Sequence, residues 1–99
     1  MTGEQEHEGL WDLRLFVSNH TPKSVAAFAN LKRICEEHLA GNYRIEVIDL
    51  IEQPQLAKEE QIVAIPTVVR RSPLPPCRVV GDLSNAEKTL LGLQLCEQF

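Results

Sequence analysis

The sequence predicts a small α/β protein with a single domain. Its 99 residues, 43% of them hydrophobic, suit one globular domain and leave little room for a second. In the first half, a strand pattern, a long helical pattern and a second strand pattern follow one another. Such an order forms a right-handed βαβ unit with parallel strands, so we expect this unit to begin the fold.

Residues 11–17 have the alternation of a strand. Asp12 and Arg14 take one side of this strand, and apolar residues take the other. A helix is predicted to begin directly afterwards, because Thr21 suits the N-cap and Pro22 suits the first helical position. The apolar positions of the strand are Trp11, Leu13, Leu15 and Val17.

The long helix is expected to pack one apolar face into the core and to end at Gly41. A second strand, YRIEVIDL, is predicted at residues 43–50, where polar and apolar residues alternate again. The predicted core face of the helix consists of Val25, Phe28, Leu31, Ile34, Cys35 and Leu39.

The second half leaves alternatives open. A short helix after Pro54 and an extended, β-branched segment at 62–69 are both arguable. The proline-rich SPLPPC is predicted to be a loop before the short strand RVV. Ser84 and Glu87 fit a capping box for a last helix, but Gly92 and a period of two also fit a strand.

Charge and composition exclude several classes of function. Ten basic against 14 acidic residues give a net charge of -4, which has the wrong sign for nucleic-acid binding. No membrane span or secretory leader is recognisable, so we expect a cytoplasmic protein. Glu4, Glu6 and Glu8 mark residues 1–10 as a flexible acidic extension before the domain at 11–99.

The predicted element order is that of a thioredoxin-like domain, but the redox chemistry of that fold is not expected. Thiol exchange needs cysteines at the mouth of the first helix, where SNHT stands at 18–21. His20 has no recognisable nucleophile partner, and no metal or phosphate motif is present. We therefore predict no active site and no cofactor. The alternative is a redox enzyme or thiol sensor that uses Cys35, Cys77 or Cys96.

Three arginines without an intervening acid flank the proline-rich loop. Arg70 and Arg71 precede this loop, and Arg78 follows it. They are either scattered solubilising charges or a docking patch for an acidic protein surface, which would speed association.

Several segments resemble the KaiB family of circadian clock proteins. They are LFVSNHTPKS, VIDLIEQPQLAKEEQIVAIPTVV and RVVGDLSNAEK. The resemblance implies a regulator without enzymatic activity that binds the amino-terminal ring of KaiC, a hexameric ATPase, and opposes its phosphorylated state. KaiA, a clock-output histidine kinase and further copies of the chain, as a dimer or tetramer, are the other implied partners.

The resemblance also implies a protein with two folds. One is thioredoxin-like, βαβαββα, and the other is an oligomeric ground state, βαββααβ, with the first βαβ unit in common. Gly92, Gln94 and Trp11 fall on positions associated with the switch, where Gln94 replaces a common Asp and Trp11 a usual Tyr. Arg70 and Arg78 fall on positions that contribute to KaiC binding, whereas Cys77 departs from a basic residue.

Overall fold

The computed structural model describes residues 10–93 and has the order βαβαββα. This order is the thioredoxin-like one of the two that were predicted. The strands are β1 at Trp11–Val17, β2 at Tyr43–Asp49, β3 at Thr67–Ser72 and β4 at Cys77–Val80. The helices are α1 at Pro22–Leu39, α2 at Gln55–Glu59 and α3 at Ala86–Leu93.

The four strands form one sheet in the order β2-β1-β3-β4. β1 and β2 pair in parallel, with Trp11 opposite Tyr43, so the predicted βαβ unit is confirmed. β3 runs antiparallel to both β1 and β4. The two halves of the chain therefore share one sheet, in which β1 and β3 are the central strands.

Both faces of the sheet carry core residues. The larger core lies between the sheet, α1 and α3, and the smaller one lies under α2. β1 contributes to both, because Leu13 and Leu15 face the larger core while Phe16 faces the smaller. None of the described helices is long and apolar enough to cross a membrane.

Helix α1 begins as predicted and buries Leu31, Ile34 and Cys35 as predicted, but its first turns present a different face to the core. The Thr21 hydroxyl accepts a hydrogen bond from the Ser24 amide at 3.3 Å. The Ser24 hydroxyl accepts in turn from the Ser18 amide at 3.2 Å, which holds Ser24 against the sheet. The prediction that Val25 and Phe28 are core residues is consequently wrong, since they are 55% and 40% exposed.

The start of α3 also differs from the prediction. Its N-cap is Asn85, whose Oδ1 accepts from the Lys88 amide at 2.9 Å, one residue after the predicted cap at Ser84. The Ser84 amide instead donates to the Asp82 carboxylate at 3.1 Å. The β-branched run forms a strand only from Thr67 onward. The last segment is a helix within the described residues, although Gly92 lies in it.

Candidate partner-binding surface

Arg70 lies inside the protein, and the prediction that it belongs to an exposed basic patch does not hold in this conformation. Its side chain is 1% exposed, and its guanidinium carbon is 4.7 Å from the centroid of the Trp11 ring. Nη1 donates to the carbonyl of Leu93 at 3.1 Å, and Nη2 donates to that of Pro75 at 2.7 Å. Arg70 therefore joins β1, the proline-rich loop and the end of α3.

Arg78 and Arg71 remain at the surface. Arg78 pairs with Val69 across β3 and β4, and side chains two apart on a strand share a face, so Arg71 and Arg78 project from the same side of the sheet. Arg78 donates from Nη1 to the Gln61 carbonyl at 2.8 Å and from Nη2 to the Glu60 carbonyl at 3.1 Å. It thus fixes the turn that follows α2 while its side chain stays exposed.

Exposed apolar side chains lie in the two segments that Arg78 joins, β4 and the segment that follows α2. Backbone and side-chain hydrogen bonds hold residues 61–66 beside β4. Val63 in this segment is 93% exposed, Ile65 is 42% exposed, and Val80 on β4 is 56% exposed. We call Val63, Ile65, Arg78 and Val80 the β4 surface. An apolar patch with a basic group at its border is typical of a protein-docking site.

Arg14 supports this surface from β1, which is separated from β4 by β3. Its Nε lies 3.2 Å from the Glu46 carboxylate on β2, and its Nη1 lies 3.5 Å from that of Glu60. Arg14 therefore fixes the end of α2, to which Arg78 also binds. Sequence reasoning assigned Arg14 only to the polar side of β1, and its pairing with Glu60 depends on the position of α2, which no local pattern indicates.

A groove lies at the N-terminal end of α1, and no cysteine is among its lining residues. An apolar cavity of about 290 Å³ lies between α1 and the ends of β1 and β2. His20 lines it beside Asn19 and Asp49. Sequence reasoning missed this groove because it placed Val25 and Phe28 in the core. Its other lining residues are Val17, Ser24, Val25, Phe28 and Val47.

The two described thiols lack the properties of reactive cysteines. Burial, with a smaller contribution from the adjacent Glu36 carboxylate, raises the pKa of the Cys35 thiol to about 12. Burial also raises the pKa of Cys77, against the opposing effect of Arg70. A thiolate is the reactive form, so neither environment favours exchange chemistry. Cys96 lies outside the described residues.

No group of three or more His, Cys, Asp or Glu side chains in residues 10–93 is arranged to hold a metal ion.

Two of the three predicted switch positions lie in the described chain. Trp11 is 5% exposed and stacks on Arg70. Gly92 lies in α3, and a Cβ atom added to it would be 2.6 Å from Cγ2 of Val79 on β4. Gln94 lies outside the described residues. Trp11 contacts Arg70, which donates to the last residue of α3, and Gly92 packs α3 on β4. Both positions therefore bear on the placement of α3.

Comparison with known families and proteins gives a consistent result. A family model described as the KaiB domain matches residues 14–95. The circadian clock protein KaiB3 of Synechocystis is 47% identical over 83 residues, which cover 84% of this chain and 81% of that protein. The circadian clock oscillator protein KaiB of Synechococcus elongatus is 48% identical over 83 residues, with the same shares of the two chains.

Solved structures resemble the fold as a whole. The N-terminal domain of Synechococcus elongatus SasA superposes with a TM-score of 0.73 and 27% identity, covering 90% of this chain and 86% of that one. Chloroplastic thioredoxin z has a TM-score of 0.70 and 22% identity over 90% of this chain and 80% of its own. The second likeness shows the thioredoxin-like fold alone.

Proposed function

The chain belongs to the KaiB family, and from this premise we propose that it is a non-enzymatic clock regulator that binds a KaiC-like hexameric ATPase and modulates its phosphorylation state. The observation that carries this proposal is the identity of 47% with a named clock protein over 84% of the chain. The likeness to the SasA domain supports it, because both chains present the same fold. The proposed site of action is the cytoplasm.

The β4 surface is the proposed docking site. A partner would bury the apolar side chains of this surface on binding. The positive charges of Arg78 and the nearby Arg71 would attract an acidic surface of the partner. Arg70 acts on this site indirectly, because it is buried and fixes the loop between β3 and β4. The proposed binding residues are therefore Arg78 at the surface and Arg70 as its internal support.

A change of fold is the proposed basis of regulation. The first βαβ unit has local capping and pairing signals, whereas α3 depends on distant contacts through Arg70 and Val79. Two packings coexist only if their free energies differ by a few kcal/mol. We propose that a minor binding-competent conformation limits the rate of complex formation and that KaiA and a clock-output histidine kinase are further partners.

The test is a time course of the full-length chain mixed with the KaiC-like ATPase of its own host and ATP, followed by native mass spectrometry. A ring complex that appears over hours supports both binding and a rare competent conformation. A complex that forms within the mixing time supports binding and contradicts the proposed fold change. The absence of any complex with an active ATPase contradicts the proposed function.

Charge reversal locates the docking site in the same assay. Arg78→Glu is expected to slow association and reduce its dependence on salt. Arg33→Glu on the outer side of α1 introduces the same change of charge on another exposed element and serves as the matched control. Equal association rates for the two variants would remove Arg78 from the docking site.

A further inference from the structure

Helix α2 covers only part of its face of the sheet. The buried residues beneath it include Phe16 on β1 and Val69 on β3. Toward the start of β1 the same face carries Arg14, which is paired with Val69 across the two strands. Arg71 and Arg78 also project from this face and are exposed. Charged side chains therefore occupy the part of the face that the helix leaves open.

Arg71 and Arg78 form no ion pair with another residue in the range 10–93. The ion pairs in this range belong to Arg14, which binds the carboxylates of Glu46 and Glu60. Arg78 donates to two backbone carbonyls, and these neutral groups leave further N–H donors of its guanidinium for other acceptors. Two neighbouring arginines are thus available to an acidic ligand.

Most of the negative charge of the chain lies immediately before β1. Residues 1–10 contain three acidic residues and no Lys or Arg, whereas residues 11–99 contain 11 acidic and 10 basic residues. The acidic residues Glu4, Glu6 and Glu8 stand at alternate positions. In an extended chain, alternate side chains point to one side at a spacing of about 7 Å, so the three carboxylates would face one surface. We call residues 4–8 the acidic segment.

The acidic segment is attached beside Arg71. Leu10 precedes β1 and is the first residue that the structure describes. Asp12, near the start of β1, pairs with Ser72, the residue that follows Arg71. Glu8 is two residues from Leu10, a distance of about 7 Å in an extended chain. A chain that runs from Leu10 toward β3 therefore brings Glu8 next to Arg71.

Arg78 lies within reach of Glu6. Arg78 is opposite Val69, which is opposite Arg14, so Arg78 lies two strands from Arg14, or about 10 Å across the sheet. Leu10 lies four residues before Arg14, or about 13 Å along the strand direction, so the Cα atoms of Leu10 and Arg78 are about 16 Å apart. Four extended residues from Leu10 to Glu6 span about 13 Å, and the two long side chains bridge the rest.

The covalent attachment makes a weak interaction sufficient. A segment on so short a linker has an effective concentration in the millimolar range at its own chain. Docking that occupies half of the molecules then needs a dissociation constant of only about 1 mM. Arginine binds carboxylates through paired, charge-assisted hydrogen bonds, which are stronger than those between neutral groups.

We propose that the acidic segment docks on Arg71 and Arg78 of its own chain in the thioredoxin-like conformation and competes there with the acidic surface of a partner. The occupant is this segment because its charge is complementary to the two arginines and its attachment point lies beside them. Docking does not depend on any partner, whereas the competition rests on the proposed function. A site that is half occupied would slow association with the partner about twofold.

Two-dimensional NMR of the ¹⁵N-labelled full chain tests the docking. In the triple variant Glu4→Gln/Glu6→Gln/Glu8→Gln, the backbone amide and Nε–H signals of Arg71 and Arg78 are expected to shift. Raising the salt concentration from about 0.05 M to about 0.5 M is expected to shift the same signals in the unmodified chain, because salt screens exposed charges. In the triple variant, this response to salt is expected to be at most about half as large.

A second triple variant is the matched control. Glu37→Gln/Glu52→Gln/Glu87→Gln removes the same charge at exposed positions of α1, of the loop after β2 and of α3. It is expected to leave the Arg71 and Arg78 signals in place. Thermal unfolding of every variant checks that each chain is folded.

The kinetics of complex formation with the KaiC-like ATPase test the competition. The variant without the three acids of the acidic segment is expected to associate about twofold faster than the unmodified chain at about 0.05 M salt. The control variant is expected to gain clearly less, since its changes do not uncover the arginines. In an Arg71→Gln/Arg78→Gln background, removal of the three acids is expected to bring no gain.

The outcomes separate the two parts of the proposal. Arg71 and Arg78 signals that do not move in the acidic-segment variant overturn the docking, whatever the ATPase does. A gain in rate no larger than that of the control overturns the competition, because net charge alone would then set the rate. If no variant forms a complex with an active ATPase, the proposed function is contradicted, and the NMR comparison still decides whether the segment docks.

Discussion

Gly92 of α3 packs so closely on Val79 of β4 that an added Cβ would lie 2.6 Å from Cγ2 of the valine. Its backbone adopts an ordinary helical conformation, and the close approach to β4 explains why a small residue stands here. Glycine has a lower helix propensity than alanine, so helix propensity alone would favour replacement of Gly92. The contact with Val79 opposes that effect in the conformation described here.

Gly92→Ala is therefore expected to lower the free energy of unfolding of the thioredoxin-like conformation by about 1 kcal/mol, because overpacking of about 1–3 kcal/mol exceeds a helix-propensity gain of about 1 kcal/mol. In a Val79→Ala background the same substitution is expected to be stabilising by up to about 1 kcal/mol. Urea unfolding of the four chains, with NMR to identify the folded conformation, measures this coupling. An equal effect of Gly92→Ala in both backgrounds would show that the contact has no energetic role.

The first half of the fold could be predicted because its signals are local. Thr21 and Pro22 mark the start of α1, and the alternation of β1 marks a strand, whatever the rest of the chain does. The exposure of Val25 was not predictable in this way. It depends on Ser24, whose hydroxyl bonds back to Ser18 and turns the helix.

The second half and the site depend on contacts between distant residues. The sequence around Gly92 fits both the period of a helix and the period of a strand. Packing on β4 therefore decides that this segment is a helix. Which of Arg70 and Arg71 is buried is decided by the register of β3 against β1. The segment TVVRRS contains no alternation of apolar and polar residues that would indicate this register.

Arg70 is expected to be a major contributor to stability. Arg70→Met removes the donors to the carbonyls of Leu93 and Pro75, and we expect it to cost about 2–4 kcal/mol of unfolding free energy. The neighbouring Arg71→Met, at an exposed position, is expected to change it by no more than about 0.5 kcal/mol. Denaturant unfolding compares them, and equal losses would contradict the role of Arg70 in tying α3 to β3.

The orientation of α1 leads to a contrast between two apolar positions of one helix. Leu31→Ala is expected to destabilise the protein by about 3 kcal/mol, because Leu31 is 0% exposed. Val25→Ala is expected to change stability by less than about 0.5 kcal/mol, because Val25 is 55% exposed and alanine has the higher helix propensity. Thermal or urea unfolding of both variants checks this, and a large loss for Val25→Ala would restore it to the core.

The Cys35 thiol is expected to make the free energy of unfolding decrease as the pH rises through the alkaline range. Burial raises the pKa of its thiol to about 12 in the folded chain, whereas the ordinary value is 9.0. Above the ordinary pKa the unfolded chain loses the thiol proton while the folded chain keeps it, so the unfolded state binds fewer protons and stability falls with rising pH. We expect this loss to begin near pH 9 and to continue toward pH 12.

Urea unfolding from pH 7 upward, compared with Cys35→Ala, measures this loss of stability. The variant is expected to be less stable at neutral pH because of the cavity, but to lose less stability on going to alkaline pH. Parallel pH profiles for the two chains would show that the Cys35 thiol is not held protonated by burial.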